Sequence, residues 1–349
     1  MLERQLYENY RISVDQMSFI GEDVVINAGG KSYLLRNSGH LPPKKIEEQM
    51  LMAEYLIYNG EPHIARPVLS QRESYISVID GDSAIIYDIT NDLSQESFQT
   101  DQSAGRKLAR FHLKGEAFEA SHSVWNGTWY AWQDRWIKRL DQLENWYVKK
   151  QKDPYKTPGD EWFLLSFPYF LGVTENAVQM MNTIQTNNPF LIREGKGNTI
   201  CHQRFHEGCW LTVDERHVGA VKVPSDFTYD HFTRDTTEYI RHLTAEPGSF
   251  NKKTKRIERF LHRYQTIKPF DGVDFQLLIA RLAFPVHYFE LVEEYYRTVD
   301  DERKAVLEED LSLLFTGAEE YEHTIRFVAS LFPDSKNIFA LPEWLSNKK

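Results

Sequence analysis

Cys201, His202, His206 and Cys209 fall within one short stretch, and all four carry side chains that can do chemistry. Thiolate and imidazole are the preferred ligands of zinc, so a zinc site is the first chemistry this cluster suggests. The spacing opposes it: it matches no standard zinc motif, and residues 201 and 202 are neighbours on an apparent strand, where successive side chains point to opposite faces. A second concentration of reactive charge lies at 251–268. There Lys252, Lys253, Lys255, Arg256, Arg259, Arg263 and Lys268 face a single acid, Glu258. Such a run reads as a solvated helix face, with docking onto an acidic partner as the functional alternative.

The elements that must position these residues change character along the chain. Residues 11–36 alternate apolar and polar positions around glycines, which predicts a β-hairpin with its turn at Ala28 to Lys31. Ile46, Met50, Ala53 and Ile57 recur at helical spacing before Gly60, so 44–59 is expected to be a helix. Strands follow at 75–79 and 83–87 around an Asp80-Gly81-Asp82 turn. Beyond Leu93 the pattern is helical: Ala104, Leu108 and Phe111 mark one helix, and Trp129, Trp132, Trp136, Leu140, Leu143 and Tyr147 trace an apolar stripe expected to pack a core. Further helices are expected at 160–186, 234–246, 252–267, 273–298, 301–315 and 317–331. One island interrupts them, where 199–213 and 217–223 read as two strands. The sequence thus predicts an α+β protein, with a small β-sheet lobe carrying one helix at 1–90 and a mainly helical lobe at 91–349 holding an embedded β-hairpin at about 199–223.

Composition narrows the function classes. A chain of 349 residues with 41% hydrophobic and 26% charged residues can bury a full core and is not a disordered or fibrous chain. A net charge of -10 disfavours nucleic-acid binding, which needs a basic field. No uninterrupted apolar run approaches the roughly 20 residues of a membrane span, and Met1 to Tyr10 lacks the apolar segment of a signal peptide. Cytoplasmic synthesis is expected. With only Cys201 and Cys209, reduced thiols are expected as well.

At the embedded hairpin, His202-Gln-Arg-Phe-His-Glu-Gly-Cys209 fits the frame His-Gly-Asp-Leu-His-x-Gly-Asn at its first His, its second His and its Gly. That frame is the catalytic loop of the aminoglycoside phosphotransferase and choline kinase superfamily, which the chain resembles. Ala104-Gly-Arg-Lys-Leu-Ala-Arg-Phe-His112 resembles the superfamily's Leu-Ala-x-Phe-His helix, and Arg234-Asp-Thr-Thr-Glu-Tyr-Ile-Arg241 resembles its Asp-Leu-Ala helix. Within the superfamily, Pro224-Ser-Asp-Phe-Thr-Tyr-Asp-His-Phe-Thr-Arg-Asp235 and Leu34-Leu-Arg36 are most similar to the spore-coat-associated group of endospore-forming bacteria, the CotS and YutH type. The resemblance implies a two-lobed protein-kinase-like fold, and a buried structural His202.

Measured against that frame, the chemistry fails at named positions. Phosphoryl transfer in this fold needs an Asp base, an Asn and an Asp for magnesium, and a small-lobe Lys on the nucleotide phosphates. The base position is Arg204, whose guanidinium cannot take a proton. The Asn position is Cys209, a soft ligand for a hard ion. Counting back from Asp235 puts the metal Asp at Val223 or Pro224, whereas Asp226 leaves the spacing short. Arg36 falls at the small-lobe Lys, and Glu48, or Glu47 beside it, is its expected partner from the following helix. Arg36, Glu48 and Asp226 are therefore vestigial nucleotide or metal positions, and no resident metal is expected.

The expected function is a catalytically inactive pseudokinase with a structural or interaction role in coat assembly. It would be made in the cytoplasm of a sporulating bacterium and then carried into the spore coat, with other coat proteins as partners. Two alternatives stay open. One is a small-molecule phosphotransferase using ATP and magnesium, with Asp226 on the metal and Glu207 or Asp230 as base; the other is a nucleotide-binding switch without turnover. For the altered loop, Arg36, Arg204 and Lys222 are expected to converge on a cleft of net positive character, closed by protein carboxylates such as Glu48 or Glu207.

Overall fold

The computed structural model describes residues 1–39, 41–90, 101–119, 128–190, 195–214 and 217–332. Its small lobe is a six-stranded antiparallel sheet of β1 (Gln16–Ile20), β2 (Asp23–Ala28), β3 (Lys31–Asn37), β4 (Arg66–Pro67), β5 (Ile76–Ile79) and β6 (Asp82–Asp88). The order is β1-β2-β3-β6-β4, with β5 also on β6. Gly29 and Gly30 both take positive φ, 56° and 76°, which gives the two-residue turn that closes β2 on β3 with Ala28 opposite Lys31.

This sheet is covered on both faces, which the alternation pattern alone did not announce. Val24, Ile26 and Ile86 pack with Leu6 and Tyr10 of a first helix, α1 (Leu2–Tyr10), while Val25, Leu34, Ile85 and Tyr87 pack with Ile46 and Met50 of α2 (Pro43–Tyr58). The period-2 geometry of a strand sends consecutive apolar residues to opposite faces, so an unbroken apolar run such as Val24-Val25-Ile26 requires cover on each side. The first helix, which the sequence reading omitted, supplies one of them. Residues 11–36 accordingly form three strands rather than one hairpin.

The larger lobe contains α3 (Asp101–Gly115), α4 (Trp132–Lys152), α5 (Pro158–Asn187), β7 (Asn198–His202), β8 (Trp210–Asp214), β9 (His217–Lys222), β10 (Phe227–His231), α6 (Thr233–Ala245), α7 (Phe250–Gln265), α8 (Gly272–Ala283), α9 (Val286–Arg297), α10 (Asp301–Thr316) and α11 (Ala318–Ser330). One apolar core joins them, and the tryptophan stripe lies in it as expected: Trp129, Trp132 and Trp136 are buried, with Trp136 stacked on Phe284 at 4.5 Å between ring centroids. Two expectations need correction. The helix read as 273–298 is divided at Phe284-Pro285, because proline ends the α8 hydrogen-bond ladder and starts α9. The stretch Gly272–Arg297 has the length and hydropathy to cross a bilayer, but 72% of its apolar window is buried inside the protein, as in a core helix pair. Likewise the strand read as 199–213 breaks at 203: β7 pairs with β10, which the sequence reading did not foresee, and only β8 and β9 form the embedded hairpin.

Candidate functional site

Antiparallel pairing sets His202, at the end of β7, opposite Phe227, at the start of β10, so the loop 203–209 and the turn 224–226 leave the same end of one ladder. They are tied together: the Gln203 amide donates to the Asp226 carbonyl at 2.7 Å, and the Gln203 side chain donates to the Ser225 carbonyl at 2.9 Å. From the small lobe, buried Gln49 of α2 donates to the Ser225 carbonyl at 2.8 Å and the Phe227 carbonyl at 3.2 Å.

Asp235, in the first turn of α6, anchors the loop from below. Its fully buried carboxylate accepts the His202 backbone amide at 3.0 Å, His202 Nδ1 at 2.8 Å and His112 Nε2 at 3.1 Å. A carboxylate only accepts, so both imidazoles must donate to it. His202 Nε2 then accepts the Trp210 indole N–H at 3.0 Å, and His112 Nδ1 accepts the Tyr264 hydroxyl at 2.6 Å. Both rings are thereby fixed as single neutral tautomers. Burial would raise the Asp235 pKa, but His202 and His112 outweigh it and hold it at about 2. Burial also lowers the His112 pKa, with Asp235 opposing in part. His202 is thus buried and hydrogen-bonded on both ring nitrogens.

The same bonds leave the zinc cluster unassembled. Cys201 is buried and donates to the Asp230 and His231 carbonyls, and burial pushes its thiol pKa up. Cys209 donates to the Arg204 carbonyl and accepts the His206 amide at 3.3 Å; burial raises its pKa to about 12. Cys209 is therefore a protonated thiol that closes the loop on itself. His206 Nδ1 accepts from the Gly208 amide at 3.0 Å within the same turn.

Arg204 leaves the loop toward the helical lobe. It donates to Glu238 of α6 at 3.2 Å and to Glu290 of α9. The expectation of closure by protein carboxylates holds in kind, and the described partners are Glu238 and Glu290 rather than Glu48. The Glu207 side chain lies outside the described residues. Glu238 is buried, and although burial would raise its pKa, Arg241, Arg281, Arg204 and Arg234 bring it to about 2.

Across the cleft, Arg36 of β3 makes a bidentate contact with Asp23 of β2 at 2.6 and 2.9 Å, and reaches Asp226 at 2.8 Å. Burial works against the guanidinium charge, but the two carboxylates win and the pKa is raised. Arg36 thus pairs with Asp23 and Asp226 rather than with Glu48, which is half-buried on α2 and acts on the charge of Lys45. Lys222 does not converge on this cleft either. It is buried over the Trp210 ring, donating to Glu61 at 3.1 Å and to the Pro62 carbonyl at 2.9 Å. The cleft is a cavity of about 500 Å³ whose lining includes Arg36 and Arg204 but also Glu22, Asp23 and Asp226. Among the described residues the expected cationic excess is absent from it: Glu22, Asp23 and Asp226 stand against the two guanidiniums.

Sequence reasoning missed Asp23, Glu238 and Glu290, which meet their arginines only through tertiary packing. Asp230, considered as a replacement base, is fully buried and accepts from Trp132 Nε1 at 2.9 Å, from Arg234 at 3.0 Å and from the His231 amide at 2.8 Å. Arg234 also caps the loop carbonyls of His202 and Gln203 at 3.1 and 3.0 Å.

A sheet lobe, a helical lobe and a loop-and-turn cleft between them define the small-molecule-kinase class of fold. An aminoglycoside phosphotransferase from Alicyclobacillus acidocaldarius shares it at TM-score 0.61, with 13% identity and 93% of each chain covered. Spectinomycin phosphotransferase, solved with ADP and spectinomycin, shares it at TM-score 0.60, with 13% identity over 93% of this chain and 97% of that one. Residues 3–328 match the family described as "Spore coat putative kinase YutH", and the chain belongs to that family. The endospore coat-associated protein YutH of Bacillus subtilis (strain 168) is 30% identical over 325 residues, covering 92% of this chain and 91% of the relative.

Proposed function

We propose that this chain is a catalytically silent kinase-like protein with a structural or interaction role in the endospore coat. The observation that carries the reading is Arg204 at the base position, held by Glu238 and Glu290. A guanidinium takes no proton from a substrate hydroxyl, and these two carboxylates turn it away from that task. The protonated Cys209 thiol at the Asn position, and Arg36 held by Asp23 and Asp226, support the same reading and argue against a need for ATP or magnesium. The location rests on the relative from Bacillus subtilis, named as endospore coat-associated.

Incubation with magnesium-ATP and aminoglycosides, choline, homoserine or sugars is expected to yield no phosphorylated product, and calorimetry no tight magnesium-dependent ATP binding. A product that disappears in Asp226→Ala would overturn the reading. Coat proteins are the proposed partners. Within the basic segment, Lys253 pairs with Glu320, Arg256 with Glu246 and Lys268 with Glu116, so Lys252, Lys255 and Arg259 are the exposed cations left for an acidic partner. Reversing those three charges should reduce recruitment of a fluorescent fusion to forming spores without lowering the melting temperature. Unchanged recruitment would remove this face from the account.

A further inference from the structure

Gln203 and Arg204 line a second cavity, of about 280 Å³, in the helical lobe. Among the described residues its wall carries six arginines and two carboxylates, Glu238 and Glu290, the reverse of the balance in the neighbouring cleft. Glu238 is shared three ways: Oε1 accepts from Arg241 at 2.8 Å and from Arg281 at 3.0 Å, and Oε2 accepts from Arg204 at 3.2 Å. Glu290 shares the Arg204 charge, Asp230 pairs with Arg234 at 3.0 Å and Glu293 with Arg139 at 2.7 Å, so among the described residues six guanidiniums meet four carboxylates and a positive excess remains. Arg135 is held by the backbone carbonyls of Ala131 and Thr128 at 3.2 and 3.1 Å.

Arg281 shows the imbalance most clearly. Its side chain is 9% exposed and lies over the Trp132 ring, and its Nε is buried with no hydrogen-bond partner among the described residues. An unsatisfied N–H on a buried guanidinium is costly, and the same guanidinium lines the chamber. Burial and the positive charge of Arg234 and Arg241 bring the Arg281 pKa down to about 10 despite Glu238; burial first, then Arg234, also lowers Arg135. Trp136, stacked on Phe284, supplies a flat apolar wall beside these donors.

From this geometry we infer that the chamber binds a compact organic anion with at least two acidic groups, carboxylate or phosphate, set against Arg281 and Arg135. Fork-shaped guanidinium donors suit both kinds of acidic group, and the volume admits a small metabolite rather than a nucleotide. The inference is independent of whether the chain transfers phosphate.

The test is thermal melting and calorimetry of the full chain with citrate, succinate, 3-phosphoglycerate and pyrophosphate, against sodium chloride of matched ionic strength and against kanamycin as a cation. At about a hundred times Kd the favoured anion should raise Tm by about 4 °C, and its affinity should fall with added salt. Arg281→Gln and Arg135→Gln should each weaken binding about 10-fold, whereas Glu22→Gln, exposed at the adjoining cleft, should leave it unchanged. If Arg281→Gln does not fold, Arg135→Gln carries the test alone. The carboxylate and phosphate arms show which acidic group the site prefers. No anion acting beyond matched salt, binding that survives both arginine changes, loss of binding in Glu22→Gln, or tighter binding of kanamycin would each overturn the inference.

Discussion

Arg204 and Asp235 divide the loop between them, one holding its outer side chain to the helical lobe and the other its backbone and imidazole from beneath. Replacing Arg204 by Asp sets a third carboxylate against Glu238 and Glu290. Because the Arg204 side chain is 41% exposed, solvent screens part of the effect, and a loss of about 1–2 kcal/mol is expected, larger than for Arg204→Gln. Urea denaturation of the two variants checks the order. Arg204→Asp combined with Cys209→Asn should still give no normal phosphotransfer rate, since Arg36 would still hold Asp226 and catalysis of this type is mostly positioning. A strong gain of activity in that double variant would show an otherwise intact site. Asp235→Asn removes a buried charge that two imidazoles and an amide address, and should cost about 3–5 kcal/mol in the same denaturation series. The sequence spelled out His202, His112 and Asp235 because each stands in a local motif. Glu238, Glu290 and Asp23 carried no such signal: which carboxylate meets which arginine depends on helices and strands far apart in the chain.

At the scale of elements, close approach depends on small residues. A methyl group at Gly105 of α3 would come within 2.5 Å of the Phe260 carbonyl oxygen and 3.0 Å of the Tyr264 amide nitrogen on α7, whereas at Gly172 of α5 it would meet nothing within 4 Å. Gly105→Ala should therefore destabilise by about 1–3 kcal/mol, because backbone cannot yield as a side-chain tip can. Gly172→Ala should stabilise by about 0.5–1 kcal/mol through helix propensity. Equal effects at the two positions in chemical denaturation would contradict the packing account. Helix existence was legible here, since α2, α3, α4 and α5 follow their apolar periodicity. Helix division was less so: Phe284-Pro285 sits inside a continuous apolar pattern, where the proline marks the break that periodicity passes over. The first helix escaped because its apolar side is narrow, with Leu6 and Tyr10 as its buried residues. The β7–β10 ladder escaped because its strands are separated in sequence by the embedded hairpin, and short strands give no local sign of their partner.

For the molecule as a whole, the two lobes meet through Arg36 on Asp226, Gln49 on the turn carbonyls and the exchange of backbone bonds between 63–65 and Lys222, with ionised groups buried just below. That arrangement fixes a dependence on pH. Asp235 and Glu238 have folded pKa values of about 2, below their unfolded values near 4, so their contribution is complete above about pH 4.5 and is lost as pH falls toward 2. Each shift corresponds to about 2–3 kcal/mol. His112 acts earlier and in the same direction: it is held neutral in the fold with a lowered pKa, so the unfolded chain binds its proton first once pH falls below about 6.5. Stability measured by urea denaturation should therefore decline gently from about pH 6.5 and more steeply below about pH 4. Asp235→Asn should flatten the steep limb, because the substituted amide no longer titrates, while lowering stability at pH 7. A profile that stays level between pH 7 and pH 3, or one in which Asp235→Asn leaves the acid limb unchanged, would show that the buried carboxylates do not couple folding to protonation in this way.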